Sequence, residues 1–433
     1  MPVTLPARPP AAPARDTLLT RYLTVRRRTE ALAAGLHPED CVVSSMPDVS
    51  PTKWHLAHTS WFFETFVLCP HAPGYAPLDD RYAYLFNSYY VQAGERHCRA
   101  QRGLVTRPTL REVRDYRAHV DEAMLRLCAP LARDEAPPAL AALVELGLHH
   151  EQQHQELLLM DVKHVFWTNP LRPPYADGAL PGAADGATPS AWCAYEGGLH
   201  DVGADADAGF TFDNERPAHR RYLAPFRLAS RLVTNAEYLA FVEDGGYDRP
   251  TLWLSDGWAA VQAGGWRAPL YWERGADGWT EFTLRGAAPL APPFPVLHLS
   301  FYEADAFARW AGARLPREEE WEVAARDAAP PDAARGFLES ERWHAAPADG
   351  GAGLAQLHGE AWQWTASPYV GYPGYRPPQG AIGEYNGKFM CDQWVLRGSS
   401  FGTPRTHARH TYRNFFPSPA RWHFAGLRLA GDA

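Results

Sequence analysis

His149-His150-Glu151-Gln152-Gln153-His154-Gln155-Glu156 is the stretch from which the rest of the chain can be read. It lies inside Leu140 to Trp167, where apolar residues recur at helical spacing, and Pro137-Pro138 stand just upstream as an entry signal. At 3.6 residues per turn, His150 and His154 lie about 40° apart on one helix face. Leu143, Leu157 and Leu158 share that face, so both imidazoles are expected to point inward, and Gly147 one turn earlier leaves room beside them. Two inward histidines one turn apart form half of a site for zinc or iron. The competing reading is a pair of satisfied core histidines. Glu156, together with Gln152, Gln153 and Gln155 in a leucine-rich helix, favours the metal, because such groups orient ligating imidazoles and substrate.

The chain of 433 residues has room for two or three domains. A net charge of -8 and the lack of a basic run argue against nucleic acid as a partner. No apolar run is long enough to span a membrane, and the N-terminus lacks a signal-peptide core. Residues 1–14, rich in Pro and Ala, read as a disordered arm. The six cysteines (Cys41, Cys69, Cys98, Cys128, Cys193, Cys391) include no CxxC pair, a reduced and cytoplasmic pattern without a zinc knuckle. The 16 Trp, 19 Tyr and 19 Phe exceed what a core alone calls for and suit a ligand pocket as well.

Asp16 to Leu36 reads as a helix whose Arg26-Arg27-Arg28 form a solvated basic face. The next helix follows Ser50-Pro51, an N-cap with proline at the first helical position, and carries His58 near Trp54, Trp61 and Phe62. An inward His58 could complete a three-histidine site with His150 and His154; His55 is its rival on a neighbouring face. Arg81 to Arg107 reads as loop, with Tyr89-Tyr90 beside Arg96, Arg99 and Arg102, able to supply a phenol and a carboxylate clamp or simply packing and a solvated edge. Thr109 to Leu131 is another helix. Four helices therefore make a bundle over 15–167. Residues 168–190 are a linker rich in Pro, Gly, Ala and Asp, and 191–433 turn to short strands, many Gly and Trp, and brief helices at Glu237–Val242 and Glu303–Ala311.

Several segments of this second half together carry a resemblance. They are Phe212-Asp213-Asn214-Glu215-Arg216-Pro217-Ala218-His219, Val233-Thr234-Asn235-Ala236-Glu237-Tyr238, Ala313-Arg314-Leu315-Pro316-Arg317-Glu318-Glu319-Glu320-Trp321-Glu322, Trp362-Gln363-Trp364-Thr365 and Leu396-Arg397-Gly398-Ser399-Ser400. They resemble the formylglycine-generating, sulfatase-modifying-factor domain, a C-type-lectin-like α+β fold. The segment after Ser400, Phe401 to His407, has no cysteine, which argues against formylglycine formation by that family's route. The N-terminal half resembles a DinB-like four-helix bundle. That fusion, with His-x3-His-x-Glu, is similar to the ergothioneine-biosynthesis sulfoxide synthases.

The resemblance implies a mononuclear non-haem Fe(II) held by His58, His150 and His154, and a reaction joining the imidazole C2 of hercynine (Nα-trimethylhistidine) to a thiol with O2. Phe86-Asn87-Ser88-Tyr89-Tyr90 and Tyr412-Arg413-Asn414-Phe415-Phe416-Pro417 look like the branch that uses free cysteine, with Tyr89 or Tyr90 as catalytic phenol. The other branch uses γ-glutamylcysteine and takes its tyrosine from the C-terminal domain. Substrate contacts are expected from Gln153, Arg413, Asn414, Phe415, Phe416 and Arg96, with aromatic faces holding the quaternary ammonium, which cannot form hydrogen bonds. Arg413 could equally be a structural tie. The competing functions are an ovothiol-like reaction on histidine, a zinc thiol S-transferase of the DinB class, and a lectin-fold binding protein whose histidines are core.

Overall fold

The computed structural model describes residues 17–128, 137–180, 188–328, 336–350 and 353–433; the arm expected over 1–14 lies outside them. Four long helices build the N-terminal part: α1 (Leu18–Ala34), α2 (Thr52–Phe63), α3 (Leu110–Cys128) and α4 (Pro138–Thr168). Thr17 caps α1, its hydroxyl accepting the amide of Thr20 at 3.2 Å. Helix α3 is amphipathic, with Leu110, Val113, Tyr116, Val120 and Met124 inward at helical spacing. Helices α2 and α4 are different: every residue of α2 is buried, and so are most of the polar residues of α4. A helix buried all round is the centre of a larger structure rather than a face of a bundle.

Two expectations change here. Pro51 is itself the N-cap of α2, and Ser50 is drawn away, its amide donating to Asp161 Oδ2 at 2.8 Å and its hydroxyl accepting from Arg102 at 2.9 Å. The three-arginine run of α1 is not a solvated face. Only Arg27 is exposed; Arg28 reaches the second domain at Glu341 and the Leu338 carbonyl, and Arg26 is 2% exposed. Arg26 pairs with Asp121 at 2.7 Å and Glu151 at 2.9 Å, and Arg117 of α3 reaches the other Glu151 oxygen at 2.7 Å. Burial alone would raise the Glu151 carboxyl, but Arg117 and Arg26 outweigh it and hold the group down at about 2. Removing one partner from such a pair strands a buried charge, which is why three helices share it.

The second domain is a set of small sheets. Strands β1 (Trp192–Tyr195), β2 (Gly198–Val202), β3 (His219–Leu223) and β4 (Phe226–Ala229) open it, and β5 (Trp272–Gly275), β6 (Gly278–Thr283) and β7 (Gly286–Pro289) form a meander. The central sheet runs β10 (Asn414–Pro417), β9 (Gln393–Gly398), β8 (Trp362–Pro368), β11 (Ala425–Gly426), and β12 (Ala430–Asp432) pairs with β4. Helices α5 (Asn235–Glu243), α6 (Ser255–Gly264), α7 (Phe301–Trp310) and α8 (Glu318–Asp327) lie between them. Thr234 with Glu237 and Ser300 with Glu303 form reciprocal capping boxes that start α5 and α7. Gly398 sits at φ 93° with the Leu357 carbonyl only 2.6 Å from where a Cβ would be, so no other residue fits at that turn.

The two halves dock on α4. Glu156 accepts from Trp362 Nε1 at 2.8 Å, from Thr403 Oγ1 at 2.7 Å and from the Ser400 hydroxyl, all from the second domain. Gln152 donates to Thr406 at 2.6 Å, while Gln155 turns back to Val25 and Thr29 of α1. The strap Asn169–Leu180 is tied to both halves, Tyr175 donating from its hydroxyl to the Leu32 carbonyl and from its amide to Leu284.

Candidate metal centre

Helices α2 and α4 bring His58, His150 and His154 together: one ring nitrogen from each lies within 4.8 Å of the others. Their ring centroids are 4.6 to 4.9 Å apart. Local packing fixes each ring. His58 is stacked between Trp54 and Trp61, at 4.4 and 5.4 Å, and His150 lies on Phe62 at 4.4 Å. Gly147 does not leave the expected room; Phe63 and Phe62 fill that space, and a Cβ there would meet Phe63 at 2.5 Å. Its missing side chain lets the aromatic wall close under His150.

Hydrogen bonding leaves the inward nitrogens free. His58 Nδ1–H donates to the Phe86 carbonyl at 2.6 Å, and its Nε2 has no partner. Neither nitrogen of His150 has one. His154 Nδ1 is held by His55 Nδ1 at 2.9 Å. Burial, with neighbouring histidines adding for two of them, pushes all three well below the usual imidazole range, His150 to about 3. Three convergent, neutral, lone-pair-bearing nitrogens in an otherwise satisfied core are the donor set a divalent transition metal takes. Among the described residues this is the one such group.

His55, the sequence's rival to His58, stands behind His154 rather than inside the triad. Glu156 does not orient the imidazoles; it is the anchor of the second domain described above. Two tyrosines of the second domain hold Gln153. Its amide donates to Tyr412 Oη at 2.6 Å, and the Tyr385 hydroxyl donates to its carbonyl oxygen. The Tyr385 ring sits edge-on to His150 at 5.8 Å. Tyr90, by contrast, is buried among Trp61, Phe62 and Phe66, stacked on Tyr89 at 4.6 Å, and meets Tyr385 at 6.4 Å. Burial raises the phenols of Tyr89, Tyr90, Tyr385 and Tyr412, so each stays protonated.

Arg413 is a structural tie. Its donors go to Glu318, the Asn214 carbonyl and the Val370 carbonyl, and it is 1% exposed. Arg96 is exposed and bonded to the Ser88 carbonyl, whereas Arg102 is buried on the face of Trp54, 3.4 Å from its centroid. Along β10, alternation puts Asn414 and Phe416 on one side and Phe415 on the other. Phe415 packs on Tyr369 at 4.0 Å and meets Phe389 at 5.8 Å, whose ring lies edge-on to Tyr89 at 4.8 Å, while Phe416 meets Trp422, whose Nε1 donates to Asp161 of α4 at 3.1 Å. Helical spacing alone would have pointed to Asp161, seven residues after His154 on the same face of α4, whereas Tyr385 lies far along the chain where spacing says nothing.

A helical bundle offering three convergent histidines is thus sealed by a second, sheet-rich domain. The DinB superfamily matches residues 21–158, and the sulfatase-modifying factor enzyme 1-like domain matches 181–350 and 336–433. The chain is 34% identical to the hercynine oxygenase of Mycolicibacterium smegmatis over 97% of this chain and 99% of that protein. It is 34% identical to the hercynine oxygenase of Mycobacterium tuberculosis over 89% and 92%. The formylglycine-generating enzyme of Streptomyces coelicolor is 35% identical but over only 30% of this chain. The chain belongs to the hercynine oxygenase family. Among the described residues, no helix is long and apolar enough to cross a membrane.

Proposed function

We propose that the chain is an iron(II)-dependent enzyme that joins the imidazole C2 of hercynine to the sulfur of a cysteinyl thiol with O2, as in ergothioneine biosynthesis. The observation that carries this is the convergence of His58, His150 and His154, with buried nitrogens of His58 and His150 left without a partner and Tyr385 of the second domain against His150. The balance is thiol plus hercynine plus O2 giving sulfoxide plus water: the S–H and C2–H bonds break, the C–S and S=O bonds form, and one oxygen leaves as water. His58, His150 and His154 would hold the metal, which supplies open positions where thiol and O2 meet.

The remaining work falls to the chain's own groups. Gln153, fixed by Tyr385 and Tyr412, presents its second amide proton to the imidazole of hercynine. Asn414 and Phe416, on one side of β10, take the amino-acid end, the aromatic face meeting the trimethylammonium. Tyr385 donates the proton that the departing oxygen needs, since its phenol stays protonated and lies against His150. Tyr90 is the alternative donor, one ring further out.

That choice bears on the thiol. A catalytic tyrosine from the C-terminal domain is the arrangement of the branch that uses γ-glutamylcysteine, so Tyr385 favours that substrate over the free cysteine inferred from the sequence around Phe86 to Tyr90. The test is aerobic turnover of the Fe(II)-loaded protein with hercynine and each thiol, following O2 uptake and sulfoxide mass. Sulfoxide with a higher kcat/KM for γ-glutamylcysteine is expected. A preference for cysteine restores the sequence reading, and no O2-dependent product with either thiol sinks the proposal.

A further inference from the structure

A chain of hydrogen bonds leads from the second domain to one histidine of the triad. Trp422 Nε1–H donates to Asp161 Oδ1 at 3.1 Å. Asp161 Oδ2 accepts the amide of Ser50 at 2.8 Å and meets His55 Nε2 at 3.0 Å. His55 Nδ1 meets His154 Nδ1 at 2.9 Å. Asp161, His55 and His154 are all buried, so solvent does not compete for these bonds.

The proton positions follow from the donors and acceptors. A carboxylate already accepting two N–H groups accepts a third, which places the His55 proton on Nε2. Its Nδ1 is then an acceptor, and the hydrogen in the 2.9 Å contact belongs to His154 Nδ1. His154 is left with its lone pair on Nε2, toward the other two histidines. We propose that Asp161 and His55 are positioning residues that set the tautomer of His154, and that Trp422 ties this setting to correct docking of the second domain. The inference rests on the three-histidine reading above.

The logic has a sharp consequence. In His55→Phe, the ring that accepts from His154 Nδ1 is replaced by one that cannot, so nothing holds the His154 proton on Nδ1 and that buried N–H is left without a partner. A change that keeps an aromatic ring would therefore harm metal binding more than the loss of packing explains. Outer partners of ligating histidines are worth about 10–100-fold in metal affinity.

The experiment measures Co(II) affinity of the full-length apo protein by competition with a chelator, together with the visible Co(II) spectrum and the unfolding temperature without metal. His55→Phe is expected to bind Co(II) about 10–100-fold more weakly and to alter the spectrum, with an unfolding temperature close to the parent's. If His55→Phe does not fold, Asp161→Leu serves, because it removes the acceptor that holds the His55 proton on Nε2 and should also weaken binding. Affinity and spectrum equal to the parent's in the folded variant overturn the inference. His154→Ala is the control: if it keeps parental Co(II) affinity, the three-histidine reading itself is wrong, whereas loss there with parental His55→Phe removes the tautomer relay alone.

Discussion

His150 in the bundle and His423 in the second domain have the same local description: each is buried, each has two ring nitrogens without a hydrogen-bond partner, and burial pushes each down to about 3. Their surroundings separate them. His150 converges with two more histidines, whereas His423 is stacked on Phe416 at 4.2 Å and set against Trp364 and Trp422, with only the Ala420 carbonyl near enough to temper its shift. An unpartnered buried imidazole is thus not a metal site by itself. It becomes one when the unsatisfied lone pairs of several residues point at one place, since a single void nitrogen costs little more than a stacked aromatic ring recovers.

The contrast can be broken by experiment. His150→Ala should remove most bound metal and lower turnover by more than the roughly 100-fold that outer partners cost, read by metal content and O2 uptake; parental metal content would place His150 with His423. Tyr385→Phe should retain metal while sulfoxide formation falls about 100-fold and O2 is diverted to the sulfinic acid of the thiol, read by product masses. If the ratio moves in Tyr90→Phe instead, the donor belongs to the bundle.

The third test concerns His423. Its folded value near 3 lies below the unfolded value near 6.5, so between these the unfolded chain binds the extra proton. Stability is therefore complete above about pH 6.5 and lost as pH falls, by roughly 2 kcal/mol at pH 5 from this group. His423→Phe should flatten that part of the stability-against-pH curve in urea unfolding and leave metal content untouched; an unchanged slope would mean that His423 is accessible to protons when folded. The smallest effect is expected from Glu156→Gln, which keeps an acceptor for Trp362 and faces hydroxyls that can rotate. About 1 kcal/mol of stability should go, without loss of metal. A large loss of metal would return Glu156 to the role the sequence assigned it.

The histidine motif was legible because helical spacing alone puts His150 and His154 on one face, and the aromatic run around His58 marked its inward side. The fold was legible from dispersed short motifs, such as Leu315 to Glu322 and Leu396 to Ser400, whose polar members turn out to bond one another: Glu318 binds Arg397 and Arg413. What failed were assignments of polar residues to solvent or substrate. Arg26 reads as a solvated cation, and Arg413 as either a substrate contact or a structural tie, because their carboxylate partners lie far away in sequence, at Glu151 and Glu318. No periodicity links Tyr385 to α4, so spacing could not set it beside Tyr89 and Tyr90. Long-range pairing is what one-dimensional patterns omit.

The octapeptide from His149 to Glu156 shows how densely α4 is committed. His149 bonds His407, Glu151 bonds two arginines, Gln152 bonds Thr406, Gln153 bonds two tyrosines, His154 bonds His55, Gln155 bonds α1, and Glu156 bonds three groups of the second domain. Neighbouring letters answer to different neighbours, so almost no substitution there is silent. A library randomised over these eight positions should return few active clones, and new substrate preference is better sought by diversifying β10 and the Ala381 to Phe389 segment with Tyr385 itself kept, which reshapes the site without rewriting the helix both domains depend on.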